Sequence, residues 1–85
     1  MASYRIVFKR SVAKDLRRIP NRDVKRILER IEALAEDPRP AGGEKLTGDD
    51  IYRIRQGNYR ILYAIEDEVI TVTIVRVAHR RDVYR

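Results

Sequence analysis

The chain has 85 residues, 44% hydrophobic and 38% charged, with four glycines, three prolines, one histidine and no cysteine. That length predicts a single small domain over residues 1–85 and excludes separate cofactor and substrate lobes. Without cysteine there is no disulfide framework, thiolate nucleophile or thiolate metal site, and one histidine excludes a multi-histidine cage. Nineteen Lys and Arg against thirteen Asp and Glu give a net charge of +6, which favours a polyanionic partner such as nucleic acid.

The opening MASYRIVFKR has no apolar stretch of signal-peptide type, so the expected address is the cytoplasm, with no membrane contact. Residues 4–9 alternate Tyr4, Ile6 and Phe8 with Arg5, Val7 and Lys9, the period of a half-buried strand. Ser11 is placed to cap a short helix through residue 19, with Val12, Leu16 and Ile19 on one face and Pro20 as its stop. Asn21 opens a longer helix. There Val24, Ile27, Leu28, Ile31, Leu34 and Ala35 make one apolar stripe, while Arg22, Lys25, Arg26, Glu29 and Arg30 face water.

Residues 37–43 hold two prolines and two glycines and read as a connecting loop. Strands at 51–55 and 59–66 flank Gln56, Gly57 and Asn58, a hairpin turn in which Gly57 and Asn58 are both available for positive φ. Glu66, Asp67 and Glu68 then turn the chain into a strand from residue 69 to about 79, rich in Val, Ile and Thr. The expected architecture is α+β: a strand, two helices, then a three-stranded antiparallel meander, with both helices packed on the sheet.

Strand alternation sorts the charges. Residues i and i+2 share a face, so Arg53 and Arg55 project together, opposite Tyr52 and Ile54, and Arg60 joins them if the hairpin register allows. Tyr52 and Tyr63 then belong to the core. Every basic residue after position 50 is an arginine: Arg53, Arg55, Arg60, Arg76, Arg80, Arg81 and Arg85. Its planar fork matches phosphate oxygens and stacks on bases. Like charges across a ladder repel by roughly 0.2–1 kcal/mol per pair, a cost usually retained for function. The bland alternative is a solvated face whose guanidinium groups pair with Glu29, Glu32 or Asp82.

The runs Tyr52-Arg53-Ile54-Arg55-Gln56-Gly57-Asn58-Tyr59-Arg60-Ile61-Leu62-Tyr63 and Val77-Ala78-His79-Arg80-Arg81-Asp82-Val83-Tyr84 resemble the RelE group of the RelE/ParE toxin superfamily. Ala13-Lys14-Asp15-Leu16, Ile19-Pro20 and Lys45-Leu46 extend the resemblance over the whole chain. It implies the toxin of a toxin–antitoxin pair, an endoribonuclease that cuts messenger RNA in the ribosomal A site. Contacts to 16S ribosomal RNA, a neutralising antitoxin, and no metal or other cofactor are implied with it.

By that resemblance Arg60 and Arg80 grip phosphate, and Tyr84 stacks on or orients a nucleotide. Arg76, Arg81 and Arg85 extend the RNA-binding surface. Several members carry lysines where this chain has Arg53 and Arg55, one of them proposed as general base. Arginine stays protonated and cannot accept the proton. Glu44, placed like the glutamate base of YoeB-like relatives, and His79, near their C-terminal histidine acid, are the candidates for proton transfer. Two other classes stay open: a ParE-like inhibitor of DNA gyrase that cuts nothing, and a non-catalytic RNA-binding protein.

Overall fold

The computed structural model describes residues 3–46, 48 and 50–82. Its elements run β1 (Arg5–Phe8), α1 (Val12–Arg17), α2 (Asn21–Ala33), β2 (Glu44–Lys45), β3 (Ile51–Gln56), β4 (Tyr59–Glu66) and β5 (Thr71–His79). One sheet orders them β1-β5-β4-β3-β2. The meander expected from the sequence is β3-β4-β5, and β1 lies parallel to β5 at one edge. The fifth strand was not expected. Only two residues long, β2 pairs antiparallel with β3, Glu44 opposite Arg53 and Lys45 opposite Tyr52. A segment that short has no periodicity to read.

Local chemistry explains the helix boundaries, with one correction. Ser11 makes no side-chain cap and itself has helical angles, φ −64° and ψ −20°. Its carbonyl accepts the Lys14 and Asp15 amides instead. Pro20, at φ −55° and ψ 141°, breaks the chain direction between the helices, and its carbonyl accepts the Asp23 and Val24 amides of the next first turn. The stripe on α2 lands as read: Ile27, Ile31 and Leu34 are buried, and Val24 and Leu28 pack beside them. They meet Ile54, Ile61, Tyr63, Val72, Ile74 and Val77 from the sheet, and Val12 and Ile19 from the α1 region complete the core.

All this apolar packing is on one side of the sheet. The β3–β4 hairpin turns at Gly57, whose φ of 60° suits glycine, while Asn58 keeps an ordinary negative φ. Between β4 and β5 the register moves from Leu62 opposite Arg76 to Tyr63 opposite Ile74, so Val75 is an extra, bulged residue. Val72 and Ile74 before the bulge and Val77 after it therefore all face the core.

At the far end of β4 the acidic run forms a 3-10 turn, Asp67–Val69, and β5 starts at Thr71 rather than at residue 69. Ile70 links the two in the left-handed region, φ 46° and ψ 54°, a strained setting for a β-branched residue. A clamp fixes this turn. Arg39 donates from Nη1 and Nη2 to the two Asp67 carboxylate oxygens at 3.2 and 2.9 Å, and the Tyr4 hydroxyl donates to Asp67 Oδ1 at 2.6 Å. The Arg39 guanidinium also lies 5.4 Å from the centroid of Tyr52, which stacks on Tyr63 with centroids 5.7 Å apart. The buried Tyr63 hydroxyl donates to the Pro38 carbonyl at 2.8 Å, so the 37–43 loop is tied to the core.

These contacts have two measurable consequences. Tyr63→Phe removes a buried hydrogen bond and should cost about 0.5–1.5 kcal/mol, read as a lowered urea-unfolding midpoint. Hydrogen bonds from Arg39 and then Tyr4 hold the Asp67 carboxyl down to about 2, below its ordinary 3.8. Its stabilising contribution is thus complete above the unfolded value and lost as pH falls through about 2. Unfolding midpoints followed from neutral pH to pH 2.5 should fall less steeply in Asp67→Asn than in wild type.

Candidate nucleic-acid interface

With both helices on one face, no helix among the described residues covers the other face of the sheet, and alternation sends the arginines there. Arg55 is the direct cross-strand partner of Arg60, and Arg53 stands opposite Leu62. On the other side of β4, Arg60 pairs with Ala78 and Leu62 with Arg76. Just past β5, the Arg80 amide donates to the Asn58 carbonyl at 2.8 Å, which carries the strand direction on to the hairpin tip. Arg53, Arg55, Arg60 and Arg80 form one electrostatic neighbourhood. Partial burial first, and then the fields of Arg55, Arg53 and Arg80, lower the proton affinity of Arg60, while Glu44 acts the other way.

The counter-charge comes from β2. Glu44 Oε1 accepts from Arg53 Nη2 at 2.6 Å, and the Arg53 side chain is only 13% exposed. Glu44 is not among the partners that the bland reading assigned. Hydrogen bonding and charge attraction from Arg53 hold the Glu44 carboxyl below its ordinary range, reinforced by Arg55 and Arg60. Glu44 is therefore ionised at neutral pH and a weak base. Chemically, the face offers forked cationic donors around a surface carboxylate, a setting for a phosphodiester rather than for an apolar ligand.

Other expected site residues are placed differently. His79 is the register partner of Tyr59, and the two rings meet edge to face with centroids 5.6 Å apart. Tyr59 packs against the core and its hydroxyl reaches Asp23 on α2, so His79 is on the helix side, not beside Arg60. The expectation that groups His79 with the arginines is corrected by alternation. Its Nδ1 accepts the Arg81 amide at 3.2 Å, inside a turn that the Asp82 amide closes onto the His79 carbonyl. Arg76 starts on the open face, yet its Nη2 donates to the Asp82 carbonyl at 2.8 Å, securing that turn. Arg81 is exposed. Tyr84 and Arg85 lie outside the described residues.

Sequence reasoning missed two contributors. The Val75 bulge leaves no mark in an alternating apolar run. Asp15, on α1, accepts the Val77 amide through Oδ2 at 3.0 Å from 62 residues away in sequence. Both fall on the strand that leads into Arg80.

Comparison with known proteins agrees with the fold. The family described as "ParE toxin of type II toxin-antitoxin system, parDE" matches residues 6–84. Toxin RelG of Mycobacterium tuberculosis is 36% identical over 86 residues, covering 96% of this chain and 97% of that protein. The toxin–antitoxin complex RelBE2 from the same organism contains a chain of the same fold, with TM-score 0.82 and 33% identity over 92% of this chain and 99% of that one. The archaeal RelE–RelB complex of Pyrococcus horikoshii gives TM-score 0.82 and 31% identity over 94% and 98%. The chain belongs to the RelE/ParE superfamily of type II toxin–antitoxin toxins, as a RelE-type member.

Proposed function

We infer that this toxin is an endoribonuclease that cuts messenger RNA in the ribosomal A site and is neutralised in the cytoplasm by a cognate antitoxin. The observation that carries the reading is the convergence of Arg53, Arg55, Arg60 and Arg80 on one open sheet face, with Arg55 and Arg60 directly opposed. An antitoxin partner is supported by the RelB–RelE complexes among the structural relatives. The cytoplasmic address fits the finding that no helix among the described residues is long and apolar enough to cross a membrane.

In this reading the RNA 2′-oxygen attacks the adjacent phosphorus. The O2′–P bond forms, the P–O5′ bond breaks, and the products are a 2′,3′-cyclic phosphate and a 5′-hydroxyl. Arg60 and Arg80, with Arg55, hold the non-bridging oxygens as negative charge builds in the transition state, and they stay charged at any working pH. Glu44 takes the 2′-hydroxyl proton. Held ionised by Arg53, it is always ready to accept but has weak basicity, so its share falls at the low end of the roughly 10²–10⁴-fold range for positioned proton transfer. His79 has no part in this scheme, and the departing 5′-oxygen takes its proton from solvent. Tyr84 would stack on or orient the reacting nucleotide, with Arg76, Arg81, Arg85 and 16S ribosomal RNA as outer contacts.

The test is primer extension on a message in a purified translation system, with and without ribosomes. Cuts within codons that require ribosomes are expected for wild type. Arg60→Ala should lower cleavage by about 10²–10³-fold, as loss of one transition-state donor does. Glu44→Gln should lower it by about 10²-fold. On a short single-stranded RNA, each phosphate contact contributes about −0.7 to the slope of log K against log salt, so Arg60→Ala should flatten that slope by about 0.7. Intact message beside arrested growth would favour the second reading, gyrase inhibition, to which the ParE description of the matched family points. RNA binding with neither cleavage nor arrest would leave a non-catalytic RNA-binding protein.

A further inference from the structure

β5 is supported unevenly along its length. Its first part is paired on both sides, with β4 and with β1, and the last β1 contact is the Lys9 amide on the Ile74 carbonyl at 2.9 Å. Beyond Ile74, among the described residues, β4 is the one strand still paired with it, and the bulge at Val75 comes there. The bulge sets which way the later side chains face. In unbroken alternation Arg76, Ala78 and Arg80 would share the face of Val72 and Ile74, the core side. With one residue inserted, Val77 turns inward, and Arg76, Ala78 and Arg80 turn to the open face, opposite Leu62 and Arg60.

The bulged register leaves one backbone donor to satisfy. Val77 is 2% exposed, and its N–H points to the outer edge, away from β4, where β1 has already ended. An orphaned buried amide is rarely tolerated. Asp15 Oδ2 meets it at 3.0 Å. A shift by one residue would turn the Val77 donor away from this carboxylate and return Arg80 to the core side. One contact therefore reads the register of the strand that carries Arg80.

We propose that Asp15 is a positioning residue: by accepting the Val77 amide it holds the end of β5 in the bulged register that presents Arg80, and with it Ala78, to the arginine face. The inference rests on the reading of Arg80 as part of the phosphate site, and it adds a role to a helix residue remote from that face. Asp15 touches no substrate. Asp15 also lines a cavity of about 220 Å³ with Arg18, Ile19, Tyr59, His79 and Asp82, so a variant of similar size is needed to leave that cavity unchanged.

Asp15→Leu removes the acceptor at similar size, and Asp15→Asn keeps an oxygen in place. In the full-length toxin, amide exchange at Val77 should speed up at least about tenfold in Asp15→Leu while Val72 stays protected, and the nuclear Overhauser contact between the Ala78 methyl and Arg60 should weaken. Misplacing a gripping group should lower kcat by about 10- to 100-fold with little change in KM, and Asp15→Asn should restore both exchange and rate. Placed on Arg80→Ala, Asp15→Leu should cost nothing further, because it acts through Arg80.

Undisturbed Val77 protection in Asp15→Leu overturns the proposal, and so do effects that multiply with those of Arg80→Ala. If wild type cuts no message, the proposed function fails by itself. The exchange and Ala78 readouts still decide the register, and the same double-variant comparison on binding of a short single-stranded RNA decides whether Asp15 acts through Arg80.

Discussion

Two guanidinium groups held opposite each other across a β-ladder set the terms for the rest of this molecule. Arg55 and Arg60 face each other on β3 and β4, with Arg53 and Arg80 close enough to add to their mutual field. Repulsion of this kind opposes folding, and the structure offsets it in two ways. Glu44 brings a carboxylate to 2.6 Å from Arg53 on a strand of only two residues. The opposite face of the same strands carries the core, where Ile54 and Ile61, which alternate with the arginines, are fully buried. Hydrophobic burial below the sheet thus supports charge concentration above it, in the same residues' backbone.

A period of two says which residues share a face, and this made the hairpin half of the site legible from sequence. Arg53 and Arg55 follow from alternation alone, and the two-residue turn at Gly57 and Asn58 brings Arg60 opposite Arg55. The α2 stripe and the core tyrosine Tyr63 were legible for the same reason. Alternation fails wherever a residue is inserted, and β5 has such an insertion at Val75. Thr, Val and Ile fill both faces of that strand, so nothing in the side-chain pattern marks the bulge. His79 entered the site through the family resemblance alone, and the bulged register pairs it with Tyr59 on the helix side.

The contacts that left no mark in the sequence share one cause: no local pattern links their partners. Glu44 reaches Arg53 through strand pairing too short to leave a pattern, and Asp15 meets Val77 across 62 positions. Arg39 and Tyr4, from opposite ends of the helical segment, converge on Asp67. Ser11, by contrast, had the right local chemistry for a cap and was overruled by its own helical backbone angles. Local propensity is a weak prior where tertiary contacts supply the hydrogen bonds.

The acidic turn after β4 bears on the molecule as a whole. Glu66, Asp67 and Glu68 end the strand that Tyr59 and Arg60 begin, so opposite charges sit at the two ends of one rod roughly 20 Å long. Arg39 cancels part of the acidic end by clamping Asp67, and Glu44 cancels part of the basic one. Along β4 the remainder is an uneven distribution of charge, which the net charge of +6 does not describe. Near a polyanion an uneven distribution of this kind adds an orienting torque to the attraction, and the β4 charges favour approach by the hairpin tip.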